Sequence, residues 1–257
     1  MTHFHVTLPS DSSLDTYPNN SPSRFMVKLP DRIELNDDYE VGLAELIYPH
    51  TWFNFENSDG RFHIFIRLRD GQVKKHVFRS GFYADGTALS IALNQQISKA
   101  LTEVEYYNPV VRFSFDPSSL RMSLLQNNRN LVIFPTTLLE YLGFSRWFTM
   151  IPKVPTVGTE IFDINRGQHL MYVYCDVAAH SVVGDIETPL LRVCNTRGND
   201  GDMVRTIFTH PHYVPVSKSE FQTIEINLSD ELGRPIPFVQ GKSLVTLHFR
   251  QRNGLSS

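Results

Sequence analysis

The chain has 257 residues, 41% of them apolar and 20% charged, with 18 Phe and 10 Tyr, enough apolar material to bury a large core in one domain. Its formal net charge is −3 and it has no Lys/Arg block, which argues against wrapping nucleic acid by bulk charge, so no nucleic-acid contact is expected. No run approaches 18 consecutive apolar residues, so no membrane span is expected.

The N-terminal run Met1-Thr2-His3-Phe4-His5 has no basic and then apolar region, so no signal peptide is expected. Residues 1–8 read as a short strand. Pro9 to Ser23 is rich in Pro, Ser, Asp and Asn, with turn chemistry at Tyr17-Pro18-Asn19-Asn20, and reads as a loop; residues 1–23 together form a candidate contact arm. Arg24 to Leu29 is a second strand, ended by Pro30-Asp31. Tyr39 to Tyr48 is a third, closed by Pro49, in which Gly42 suits a bulge or a close backbone approach.

From Phe62 to Arg69, Phe62, Ile64, Ile66 and Leu68 alternate with Arg61, His63, Phe65, Arg67 and Arg69. Asp70-Gly71 makes a hairpin turn, and Gln72 to Arg79 is the return strand. The one long helix is predicted at about 86–103: Thr87 is a plausible N-cap, and Leu89, Leu93, Ile97 and Leu101 recur at spacing four. Such an amphipathic helix must cover an apolar sheet face or end. Val110 to Phe115 and Leu120 to Leu125 form a hairpin around Asp116-Pro117-Ser118-Ser119. Leu131 to Phe134 is a short strand, and a brief helix is predicted at about 137–142, with Gly143 at its C′ position.

Ser145 to Gly167 is irregular, with Pro152 and Pro155. Leu170 to Val177, Leu190 to Cys194, Val204 to Phe208, Phe221 to Leu228 and Ser243 to Phe249 complete the strands. The alternation in Phe221–Leu228, the turn residues Ser229–Pro235 and the run to Arg250 read as a C-terminal antiparallel pair, and residues 251–257 as a flexible tail. Many short strands, one long helix and no βαβ alternation predict an all-β fold. With these loops it is a single jelly-roll β-sandwich with one inserted helix, in a single domain spanning 1–257.

The chemistry-bearing residues form no complete catalytic pattern. His3-Phe4-His5 and His210-Pro211-His212 have the H-x-H spacing that places two imidazoles on one side of a strand, but no Glu follows at short range as a cupin-like metal site would need. There is no G-x-S-x-G and no glycine-rich phosphate loop. Asn199, Asp200 and Asp202 lack the rest of a calcium loop and read as a solvated turn. Cys175 and Cys194 sit in strand-like runs and read as reduced core thiols, with a Cys175–His180 pairing as the remote catalytic reading. Two cysteines make no disulfide framework, which points to synthesis in a reducing intracellular compartment rather than secretion. No metal, cofactor or small-molecule substrate is expected. The apolar residues Phe144, Trp147, Phe148, Met150 and Ile151, in an irregular region, read either as core closure or as a sticky patch for another subunit.

The order of segments resembles the penton, or minor capsid, proteins of Polinton (Maverick) elements and related virophage-like and adintovirus-like viruses. Tyr17-Pro18-Asn19-Asn20-Ser21-Pro22-Ser23-Arg24-Phe25 and Tyr39-Glu40-Val41-Gly42-Leu43-Ala44-Glu45-Leu46 carry it first. Leu139-Glu140-Tyr141-Leu142-Gly143-Phe144 and Val173-Tyr174-Cys175-Asp176 follow. Asp230-Glu231-Leu232-Gly233-Arg234-Pro235-Ile236-Pro237-Phe238, before Leu247-His248-Phe249-Arg250, comes last. The resemblance spans nearly the whole chain and holds no catalytic motif. It implies a single jelly roll that forms homopentamers at the five-fold vertices of an icosahedral virion, beside a longer, double jelly-roll major capsid protein. Contacts are then expected in the N-terminal arm, the 145–167 region and the 177–216 loops. The competing readings are a jelly-roll binding module, trimeric or carbohydrate-binding and normally secreted; a host-domesticated relic; and a cupin-like metalloenzyme. Copy number separates these classes.

Overall fold

The computed structural model describes residues 3–36, 38–106, 110–128, 130–147, 149, 151–164 and 170–252. In chain order the elements are β1 (His3–Pro9), β2 (Arg24–Glu34), β3 (Tyr39–Pro49), β4 (His63–Arg67), β5 (Val73–Val77), α1 (Gly86–Thr102), β6 (Val111–Asp116), β7 (Arg121–Gln126), β8 (Val132–Ile133), α2 (Thr136–Tyr141) and β9 (Thr156–Val157). They continue with β10 (Leu170–Cys175), β11 (Ser181–Val183), β12 (Ile186–Thr188), β13 (Leu190–Asn195), β14 (Met203–Ile207), β15 (Tyr213–Pro215), β16 (Glu220–Ser229) and β17 (Leu244–Gln251). The chain forms two compact units: residues 1–52 with 167–257, and residues 53–166.

The first unit is the jelly roll. One sheet runs β1-β17-β3-β14, with β15 also on β3; the other runs β13-β10-β16-β2. Setting aside the small β11–β12 hairpin and β15, the chain changes sheet at every step except β10 to β13, which is the winding of a jelly roll. Each strand contributes alternate residues to the space between the sheets: Phe25 and Val27, Val41 and Leu43, Met171 and Val173, Ile224, Ile226 and Leu228, and Val245, Leu247 and Phe249 are all buried. The predicted class therefore stands, and the insertion between β3 and β10 holds the predicted helix.

The C-terminal hairpin does not form. β16 pairs with β10 and β2, while β17 pairs with β1 and β3, so the two runs lie in opposite sheets. Period two states which face of a strand is buried; it does not name the partner. The residues between them make a crossing organised by Asp230. Its Oδ1 accepts from the backbone N–H of Leu232 (2.9 Å) and Arg234 (2.8 Å), and its Oδ2 accepts from Arg234 Nε at 2.8 Å. The predicted stop at Pro30 also fails, because β2 continues to Glu34. The ladder to β16 is irregular there, jumping from Ile33 opposite Phe221 to Lys28 opposite Thr223. Proline is tolerated at such a bulge on an edge strand.

Gly42 behaves as expected of a close approach. A Cβ there would sit 2.9 Å from His212 O and 2.9 Å from Pro211 Cβ, so the turn before β15 can lie against β3 only over a bare α-carbon.

The second unit has its own core. Its sheets are β5-β4-β8 and β6-β7-β9, and α1 packs on β6. Leu89, Leu93, Ile97, Ala100 and Leu101 of α1 are buried against Phe113, Met122 and Leu124. The N-cap is Asp85 rather than Thr87: Asp85 is extended, and its Oδ1 accepts from Ala88 N–H at 2.8 Å. Asn94 then ties the helix to the sheet, donating to Phe113 O and accepting from Phe113 N–H, both at 2.8 Å. Asn57 does the same for its neighbours, donating to Phe62 O and Phe78 O and accepting from Phe62 N–H, each at 2.7 Å.

Phe249 joins the first and last strands to the core, stacked on Phe4 at 4.9 Å and on Phe221 at 5.7 Å between centroids, with no exposed surface. Phe249→Ala is expected to cost about 3–5 kcal/mol, read as a lower midpoint in urea denaturation.

Candidate assembly surface

The chemistry-bearing residues singled out in the sequence are scattered or structurally occupied. Cys175 and Cys194 are both buried, and burial pushes their thiols up to about 12 and about 11. A thiolate nucleophile needs the opposite shift. Asp202, in the Asn199–Asp202 turn, uses Oδ2 to accept from Asn199 N–H at 2.8 Å. His3 and His5 share the outward face of β1 with His248 of β17, at ring-centroid distances of 5.6 and 4.4 Å from His248. Among the described residues, no group of three or more His, Cys, Asp or Glu is arranged to hold a metal ion.

The candidate patch of the sequence reading divides. Phe144 belongs to the core of the second unit, 2% exposed, in keeping with the core-closure alternative of its sequence reading. A helix-ending motif puts it there. Gly143 has φ +83°, its N–H donates to Glu140 O at 3.1 Å, and Phe144 N–H donates to Leu139 O at 2.9 Å. These are the two bonds of a Schellman cap, which turns the residue after the glycine back onto the helix's apolar side. A Cβ on Gly143 would meet Glu160 O at 2.8 Å, so only glycine fits both the dihedral and the space.

Trp147, by contrast, is 87% exposed, and Ile151 is exposed as well. Phe148 and Met150 lie outside the described residues. Exposed Val154, Val157 and Ile161 extend the apolar run beyond the residues picked from sequence. The backbone beneath them is held: Lys153 N–H donates to Gln126 O (3.0 Å), Gly158 N–H to Met122 O (2.7 Å), Glu160 N–H to Gly143 O (2.9 Å) and Phe162 N–H to Leu120 O (2.8 Å). β9 pairs with β7 in the same stretch. Apolar side chains left exposed on a backbone tied to a sheet are candidates for contact with another chain. The signal available in the sequence was the mix of Val and Ile with prolines and no period; it marked the region without telling inside from outside.

The other expected contact regions differ from one another. Residues 3–23 are integrated into the jelly roll: β1 is a sheet strand, and the following loop covers the free edge of β2. Asn20 there donates to Met26 O and accepts from Met26 N–H, both at 2.9 Å, and Ser13 Oγ accepts from Lys28 N–H at 3.0 Å. In the 177–216 region the β11–β12 hairpin turns at Gly184, φ +64°, and exposes Val182 and Ile186.

Two outcomes follow from these burials. In the isolated subunit, Trp147→Ala is expected to change unfolding free energy by no more than about 0.5 kcal/mol, while Phe144→Ala costs about 3–5 kcal/mol, both read by chemical denaturation. Both thiols are expected to stay unreactive toward a disulfide reagent at neutral pH in the native protein and to react at once in denaturant.

No protein-family model and no curated protein matches the sequence. Among solved structures, the fold is similar to that of the mavirus penton protein, with a TM-score of 0.52 and 10% identity over 98% of this chain and 99% of that one. A chain of the Sputnik virophage, solved by cryo-EM, aligns with a TM-score of 0.47 and 11% identity over 98% of each chain. The fold of this chain is thus similar, along nearly its whole length, to that of the mavirus penton protein.

Proposed function

We propose that this chain is a structural capsid protein, a penton of the kind found in Polinton (Maverick) elements and related virophage-like and adintovirus-like viruses. In this reading it assembles as a homopentamer at the five-fold vertices of an icosahedral virion, next to a double jelly-roll major capsid protein. It takes no small-molecule substrate and no cofactor. The observation that carries the reading is the end-to-end correspondence with a penton, 98% of one chain against 99% of the other, with the second compact unit included.

The physical requirements of a vertex agree with it. Five copies close a ring only through a heterologous interface, in which one patch of each subunit meets a different patch of the next. The angle between subunits must come from stiff bodies, here sheets closed over apolar cores, and the contacts from surface segments held in place. We assign contacts to the exposed run Trp147, Ile151, Val154, Val157 and Ile161 and to the β11–β12 tip at Val182 and Ile186. Phe148 and Met150 remain candidates of the same stretch, and Phe144 is withdrawn.

Native mass spectrometry of the purified chain is expected to give five copies. Three copies would favour the trimeric binding module, and a strict monomer at micromolar concentration would overturn the penton reading. Trp147→Glu combined with Ile161→Glu is expected to convert pentamers to monomers with unchanged circular dichroism. Pentamers that survive this pair would refute the assigned contact surface while leaving the copy number intact.

A further inference from the structure

Among the described residues β1 is an edge strand: it pairs with β17 along its whole length, from His3 opposite Arg250 to Pro9 opposite Leu244, and with no other strand. Its inner side chains hold it to the sandwich through Phe4 on Phe249, Val6 and buried Leu8. Its outer face is different in kind. His5 stands directly opposite His248 and stacks on it, at 4.4 Å and 15° between rings, and His3 meets the edge of the same ring at 5.6 Å. One imidazole of β17 is thus flanked by two of β1.

The groups facing this cluster from the neighbouring strands offer no relief for added charge. On β15, the Tyr213 hydroxyl is hydrogen bonded to His248 Nδ1 at 2.7 Å. His248 Nε2 is buried and has no hydrogen-bond partner among the described residues. On β17, the Arg250 guanidinium covers the Tyr213 ring, 3.5 Å from its centroid, and adds a fixed positive charge. On β3, Glu40 is paired with Arg250, and Glu45 takes Arg205 and the Thr246 hydroxyl. Both of these β3 carboxylates are already engaged by a cation.

We propose that the His3–His5–His248 cluster makes β1 an acid-releasable strand, which opens from β17 on protonation while the rest of the jelly roll stays folded. Charge on the His248 ring would enter a space that holds stacked neutral rings in contact beside the Arg250 guanidinium, with no acceptor among the described residues for a proton on Nε2. The strand on one side of the contact is bonded on one edge only, whereas β17 is held between β1 and β3, so β1 is the partner that yields. The opening has a defined end. At the exit of β1, Ser10 N–H donates to Ser243 O at 2.9 Å and Ser10 Oγ accepts from Ser243 N–H at 3.0 Å. Beyond that the loop is fastened to β2 through Asn20.

The direction with pH follows from the burial. Desolvation, then His5, His3 and Arg250, push His248 below the ordinary imidazole value. A group that the folded state keeps neutral stabilises it at pH above its unfolded value, about 6.5, and that stabilisation is lost as pH falls through the lower folded value. His50, buried against Trp52 at 4.1 Å between centroids, and His76 are pushed the same way by burial, so global stability in acid reports on them too. The readout must therefore be local to β1.

Hydrogen exchange read by mass spectrometry at pH 7.5 and pH 5.0, corrected for intrinsic rates, supplies it. Protection of amides 4–8 is expected to fall at least about tenfold at pH 5.0, while a β3 peptide keeps its protection. His3→Gln with His5→Gln, both exposed and so safe for folding, is expected to shrink that loss to less than about threefold, and His248→Gln to do the same. Equal protection of β1 at both pH values, loss in step with β3, or an undiminished loss in the His3→Gln/His5→Gln protein would each overturn the proposal. Should His248→Gln fail to fold, the double variant decides alone. The outcome does not depend on copy number, so it stands or falls apart from the penton reading.

Discussion

The jelly-roll unit depends on one ladder, the insertion of β17 between β1 and β3. Its three strands come from the two ends of the chain: His3–Pro9, Tyr39–Pro49 and Leu244–Gln251. Until the last strand is in place, β1 has no partner and one face of the core has no middle. Val245, Leu247 and Phe249 fill that middle, all without exposed surface. The contact is as non-local as the chain allows, so the entropy of closing nearly the whole chain is spent before the reward of burial arrives. Once made, it leaves His3 opposite Arg250, the first and last strands side by side.

The same winding decides where the molecule can be varied. Because successive strands change sheets, the connections collect outside the sandwich, where they need not fill the core. The connection between β3 and β10 has grown into a compact unit with its own apolar centre, built on α1, β6 and β7. That unit carries the exposed Trp147 to Ile161 run, and a short hairpin in the jelly roll carries Val182 and Ile186. Apolar surface is therefore displayed from tethered segments, while the strand edges are treated differently. The loop through Asn20 covers β2, and Lys74 and Lys75 mark β5, the edge of its sheet. β1 carries neither device. It has histidines instead, whose charge depends on pH.

The site was less legible than the fold. Phe144 and Trp147 stand three residues apart, are both aromatic and follow the same helix, yet one is core and the other is open surface. The difference comes from the Schellman turn at Gly143 and from Glu160, distant in sequence, closing over that glycine. The His3–His5 spacing was visible from the start, but its third member, His248, comes from the far end of the chain. Only the register His5 opposite His248 unites them.

Alternation, turn residues and the spacing of Leu89, Leu93, Ile97 and Leu101 were enough to state the class, the longer strands and both helices, but not the short strands β9, β11, β12 and β15, because those signals arise from neighbours within a few residues. Pairing was another matter. The runs Phe221–Leu228 and Ser243–Phe249 look like a hairpin in any local window, and the tertiary structure sends them to opposite sheets. Local chemistry sets which side of a strand is apolar. Which strand lies beside it is settled by closing two sheets over one core, a condition that involves the whole chain at once.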